Sequence, residues 1–201
     1  MLATAILSLL AISAGVIAQS STIPAATPTP SIYANNSREF YIRTELKVKD
    51  PAKARFDDLW LYSYHTGAGL SDVTFAKNKT QYAAKGWINY TTPDNGQLTF
   101  ALGSSFPWTM SAEFNSYRLW NPLHINVGLS QSFGYYINDT GLTWNTDYHS
   151  GLNTSHSSFG GWLVCDWWYA NSPQLFWRER YLNSTDELCN CADVYLCPEY
   201  I

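Results

Sequence analysis

Phe40-Tyr41-Ile42-Arg43-Thr44-Glu45-Leu46-Lys47-Val48 decides the fold class. Phe40, Ile42, Thr44, Leu46 and Val48 hold every second position, and Tyr41, Arg43, Glu45 and Lys47 hold the others. Successive side chains of an extended chain point to opposite faces, so this period of two reads as a half-buried β-strand. The same signal recurs downstream. Leu59 to Tyr64 is a strand that runs into the turn-rich His65-Thr66-Gly67-Ala68-Gly69, where both glycines are expected at positive φ. Further candidates are 73–75, 86–90, 98–102, 108–114, 125–129, 133–137, 162–167, 175–178 and 194–196. Pro93-Asp94-Asn95-Gly96 and Asn138-Asp139-Thr140-Gly141 carry hairpin chemistry. No convincing 3.6-residue stripe competes; the one helical candidate, Pro51 to Asp57, is short. The reading is all-β: a single antiparallel β-sandwich or squashed β-barrel of about ten short strands over residues 38–201.

The N-terminal side has a different composition. Residues 1–18 read as a secretory signal peptide: Leu2 to Ile17 is apolar or small, and Val16 and Ala18 suit cleavage before Gln19. The n-region lacks Lys and Arg, but the stretch is shorter than the roughly 20 residues a spanning helix needs. Residues 19–37 form a Ser/Thr/Pro-rich leader, densest over 19–31, with Thr22, Thr27 and Thr29 as candidates for O-glycosylation. No later segment is apolar enough to span a membrane. The chain carries 12 Lys and Arg against 16 Asp and Glu, a formal charge of −4, with no basic cluster. Nucleic acid and anionic membrane are therefore set aside as partners, and a monomer is expected.

Six Asn-x-Ser/Thr sequons, at Asn35, Asn78, Asn89, Asn138, Asn153 and Asn183, mark exposed glycosylation candidates. Four cysteines, Cys165, Cys189, Cys191 and Cys197, suit disulfides in an oxidising compartment. Closing Cys189 on Cys191 across one residue is strained, which leaves two pairings. Zinc is the rival reading of Cys-x-Cys, but the spacing matches no zinc ligand set, and neither metal nor cofactor is expected.

Several segments resemble an uncharacterised family of secreted fungal proteins that share a domain of unknown function. They are Phe40 to Thr44, Leu61-Tyr62-Ser63-Tyr64-His65-Thr66-Gly67-Ala68-Gly69 with Asp72, Phe159 to Trp167, Pro173 to Arg178, and Cys191 to Leu196. The resemblance implies fungal origin and secretion, and brings no activity or catalytic residue with it. Its pattern places one cysteine in each of the last and third-last segments. That implies Cys165–Cys191, with Cys189–Cys197 as an additional bridge.

Candidate chemistry is sparse. If the glycine turn folds back, His65 and Asp72 form an acid/base pair or half a metal site, with Asp58 as a further candidate; a histidine bonded to backbone in a tight turn is the plainer account. His149 and His156 flank a Ser/Thr-rich loop that reads as surface, and His124, beside Pro122, reads as structural. There is no G-x-S-x-G elbow and no H-E-x-x-H. A mature start at Gln19 excludes a copper site built on an N-terminal histidine. Asp57, Asp58, Glu113, Asp147, Asp166 and Glu179 could supply the two carboxylates of a glycosidase. Aromatic residues make up 16% of the chain, which leaves strips to be placed. Trp60, Tyr62 and Tyr64 share one strand face and form either a sugar-stacking platform or core; Trp162, Trp167 and Trp168 pose the same choice. The expected role is a non-enzymatic extracellular or cell-wall glycoprotein that binds carbohydrate or a host surface, with a carboxylate-based hydrolase as the alternative and a small-ligand carrier third.

Overall fold

The structure, a computed structural model, describes residues 37–115, 118, 120–128, 132–148, 158–167, 171–180 and 190–201. Its strands are β1 (Phe40–Leu46), β2 (Trp60–Gly67), β3 (Leu70–Ala76), β4 (Lys85–Thr92), β5 (Asn95–Ala101), β6 (Trp108–Ala112), β7 (Trp120–Val127), β8 (Tyr135–Asn138), β9 (Gly141–Trp144), β10 (Phe159–Trp167), β11 (Ser172–Glu179) and β12 (Cys191–Tyr200). All twelve belong to one antiparallel sheet in the order β10-β12-β9-β8-β5-β4-β1-β2-β3-β11-β7-β6. Cross-pairings β10–β11, β12–β1, β5–β6 and β3–β7 turn the sheet back on itself, which is the sandwich or squashed barrel that the period of two predicts.

The alternation explains the packing. Phe40, Ile42 and Leu46 of β1 are buried, as are Leu61, Val73, Phe75, Ile88, Leu98, Phe100, Leu123 and Ile125 on neighbouring strands. Trp144 sits near the centre, edge-on to Trp177 at 5.0 Å and stacked on Tyr135 at 5.7 Å. Paired aromatic rings in these geometries add about 0.5–1.5 kcal/mol beyond the area they bury. Both expected hairpins form, Thr92↔Asn95 and Asn138↔Gly141. Pro51 to Phe56 is a 3₁₀ helix capped by Asp50, whose Oδ1 accepts from the Ala52 amide at 2.9 Å.

Three local expectations change. β9 is an extra strand, too short for its period to show; its first residue, Gly141, has φ +107°, and a Cβ there would lie 2.4 Å from the Leu196 carbonyl. β7 begins at Trp120, five residues before the expected strand at 125–129, and runs through Pro122. The proline lacks an amide donor, but its carbonyl still accepts from the Glu113 amide at 3.1 Å. In the β2–β3 turn only Gly69 takes a positive φ, +73°.

Cys165 faces Cys191 across β10 and β12 and is disulfide-bonded to it. Cys189–Cys197 is corrected: Cys197 carries a free thiol, with Sγ 3.7 Å from Glu45 Oε2. Six residue steps of extended β12 carry the chain from Cys191 to Cys197, about 20 Å at the rise of a strand. A bridge requires Cα atoms within roughly 7 Å of each other. Burial, then the adjacent Glu45 carboxylate, push the Cys197 thiol above its usual range. Cys189 itself lies outside the described residues.

Candidate functional site

Two faces of the β2–β3 hairpin carry different chemistry, and register assigns each residue. Tyr64 pairs with Asp72 and His65 with Ser71. Val73 and Phe75 point into the core, so Asp72 lies on the outer face and His65, two positions from half-buried Ser63 and four from buried Leu61 on β2's inner side, lies on the other. The expected His65–Asp72 pair therefore does not form. His65 instead borders a separate cavity of about 480 Å³ with Ser63, Ser71, Tyr82 and Trp108.

Asp72 meets a different histidine. On β7, Leu123 and Ile125 are buried, so His124 between them faces outward, and it pairs in register with Asp72. Ser111 of β6 also pairs with His124. Tyr64, Asp72, His124 and Ser111 thus form a row across four adjacent strands. His124 Nδ1 is 3.1 Å from Asp72 Oδ1, and Nε2 is 3.0 Å from Glu113 Oε1. Glu113 follows β6, and its other oxygen accepts from Arg118 at 3.3 Å. Each imidazole nitrogen faces a carboxylate. Only the doubly protonated ring donates at both, whereas a neutral ring would set a lone pair against one of them.

This network opens into a cavity of about 690 Å³ where β3, β7 and β11 diverge. β11 gives Gln174 to a register with Thr74 of β3, then Phe176 to a register with Pro122 of β7. Asp72, His124, Gln174 and Phe176 line the cavity together with Trp120 and Trp167. Leu163, Cys165, Phe176 and Cys191 form a second apolar cluster, against which Trp120 packs. The disulfide thus supports one aromatic wall. Gln174 is 3% exposed, and its Oε1 has no hydrogen-bond partner among the described residues.

The remaining candidates lie elsewhere. Asp58 pairs with Arg43 at 3.0 Å on the surface, and Asp166 with Arg55 at 2.9 Å. Asp57 accepts from the Leu46 amide at 2.9 Å and pairs with Lys49 at 3.1 Å. Asp147 is exposed, while Glu179 is buried at the end of β11, where burial pushes its carboxyl above the usual range. Trp60 is no open platform: Lys79 Nζ sits 4.5 Å from its ring centroid and Arg43 lies 5.9 Å away. The Tyr62 hydroxyl donates to the Asn78 carbonyl at 2.8 Å. Tyr64 is exposed beside Asp72. Trp162 is core, and Trp167 opens on the cavity. Asn78 and Asn138 are exposed and Asn89 is half-buried. Asn35, Asn153, Asn183, His149, His156 and Trp168 lie outside the described residues.

Among the described residues, no group of three or more His, Cys, Asp and Glu could hold a metal ion, and no helix is long and apolar enough to cross a membrane. Sequence reading missed His124, because a histidine near a proline carries no signal until register sets it against Asp72. A model of the family described as Domain of unknown function (DUF7907) matches residues 37–200. No curated protein and no solved structure matches the chain.

Proposed function

We propose, for a chain that belongs to the family described as Domain of unknown function (DUF7907), an exported glycoprotein that binds carbohydrate in the β3–β7–β11 cavity without cleaving it. One observation carries this reading: Trp120, Trp167 and Phe176 share the cavity with Asp72, Glu113, Arg118, His124 and Gln174. Sugar rings present apolar C–H faces that stack on aromatic rings, and hydroxyls that pair with planar polar side chains. Export is supported by the signal-like residues 1–18, the six sequons and the Cys165–Cys191 bridge. The setting would be extracellular or cell-wall, and the fungal character comes from the resemblance of the segments quoted above.

Hydrolysis is the weaker reading, for a geometric reason. A glycosidase sets two carboxylates on either side of the scissile bond. Here Asp72 and Glu113 converge, but the His124 ring fills the space between them.

Titration of intrinsic tryptophan fluorescence with glucan, chitin and mannan oligosaccharides, beside a reducing-sugar assay, tests the proposal. Saturable binding is expected, weakened at least tenfold (about 1.4 kcal/mol) by Trp120→Ala, with no reducing ends released. Release of reducing sugar, or no response to any saccharide, rejects it.

A further inference from the structure

Hydrogen-bond stoichiometry on the cavity floor narrows the ligand. The Asp72 side chain is only 13% exposed and commits Oδ1 to His124. Among the described residues nothing meets its Oδ2. Gln174, buried in the same lining, leaves Oε1 without a donor. Among the described residues, Gln174 Oε1 is thus a buried acceptor without a donor, and Asp72 Oδ2 is a solvent-accessible carboxylate oxygen with no protein partner. The nitrogen groups nearby are engaged: both His124 nitrogens face carboxylates, and Arg118, at the rim, is paired with Glu113. A buried acceptor without a donor is unfavourable, so a ligand that brings N–H groups gains more here than one that brings further acceptors. Trp120, Trp167 and Phe176 act in the same direction, because aromatic faces attract cations.

A neutral sugar hydroxyl offers one O–H. A protonated primary amine offers three N–H donors and a full charge, and a charged donor forms the stronger bond to a carboxylate. We propose that the saccharide carries such an amine: the cavity selects 2-amino-2-deoxyhexose units, with the ammonium donating to Asp72 Oδ2 and Gln174 Oε1 while the sugar ring stacks on tryptophan. This rests on the carbohydrate reading of the same cavity. N-acetylation would remove the charge and two of the three donors, so the acetylated sugar is discriminated against.

Isothermal titration of the glycosylated mature protein, at a pH where the amine is protonated, tests this with tetramers of glucosamine, N-acetylglucosamine and glucose, and with a linear polyamine. The glucosamine tetramer is expected to bind at least tenfold more tightly than the other three. Asp72→Asn and Gln174→Met are each expected to cut that preference below threefold; if the first fails to fold, the second carries the test. Equal or tighter binding of the acetylated or glucose tetramer overturns the amine assignment and leaves carbohydrate binding standing. Polyamine binding as tight as that of the amino sugar, or a preference retained in both variants, also overturns it. Silence from every saccharide overturns the carbohydrate reading as well.

Discussion

Two aromatic surfaces on this sheet differ in how completely their neighbours are satisfied. On β1 and β2, Tyr41 and Trp60 meet edge to face at 6.4 Å under Lys79, which is 4.0 Å from the Tyr41 ring and pairs with Glu199 at 3.0 Å. Arg43, the second cation near Trp60, is bonded to Asp58. Every charge there already has a partner. On β7, β10 and β11, Trp120, Trp167 and Phe176 face a cavity, and among the described residues no cation covers them. Two acceptors on that floor, Gln174 Oε1 and Asp72 Oδ2, have no donor among the described residues. Aromatic content alone does not separate a binding wall from a capped surface; the state of the polar groups beside it does.

If the cavity wall stands on the second apolar cluster, then removing the cluster's staple should affect it most. The double variant Cys165→Ala/Cys191→Ala opens a bridge spanning 26 residues, and a loop of that size is expected to cost about 3 kcal/mol of stability. Chemical denaturation should show that loss, and binding should fall with it because Trp120 packs on Cys165 and its neighbours. Cys197→Ala, at a free thiol, should change neither. Equal effects from both would dissolve the contrast between the two regions.

His124→Gln probes the polar half of the cavity. A glutamine cannot donate from both ends, so either Asp72 loses its partner or Glu113 is left with Arg118 alone. A stability cost of about 1–2 kcal/mol is expected, with saccharide affinity reduced at least tenfold in calorimetry. Trp60→Ala probes the capped surface: it should cost about 1 kcal/mol in thermal denaturation and leave saccharide affinity unchanged. A Trp60 variant that lost binding while keeping its melting temperature would move the site to β2.

The legible and illegible parts of this molecule divide along one physical line. Strand existence was readable because alternation is local: Phe40, Ile42 and Leu46 declare a buried face without reference to anything else. The turns at Pro93 to Gly96 and Asn138 to Gly141 were readable for the same reason. The site was not. His65 and Asp72 are seven residues apart and belong to one hairpin, yet the register places them on opposite faces, while Asp72 and His124 are 52 residues apart and in contact. Glu113 was one of six carboxylates with nothing to single it out. Gln174, its Oε1 unpartnered, gives no sequence signal at all, since what distinguishes it is a missing contact. Cys189–Cys197 went wrong similarly: a count of cysteines carries no distance, and β12 supplies one.

The smallest expected effect sharpens the comparison through pH, because each region holds one carboxylate shifted in the opposite direction. Near the capped surface, burial pushes the Asp57 carboxyl up, but the Leu46 amide and Lys49 together outweigh it, and the carboxyl lies below its usual range. Its stabilising contribution is present above the unfolded-state pKa of about 3.9 and is lost as pH falls through the lower folded value. At the end of β11, burial raises Glu179. The folded state then holds the proton more tightly than the unfolded chain does, so stability associated with Glu179 is full below the unfolded-state pKa of about 4.3 and declines as pH rises through the folded value. Glu179→Gln removes that decline. At pH 7 the variant should melt about 1–3 °C higher than the parent, and the gap should close near pH 4. Asp57→Asn should do the reverse: melt lower at pH 7 and converge with the parent only under more acidic conditions. Differential scanning calorimetry from pH 3.5 to 7.5 reads both curves. A Glu179→Gln protein that melts lower at pH 7 would mean that its carboxylate has a cationic partner, and that β11 is as fully satisfied there as the surface around Trp60.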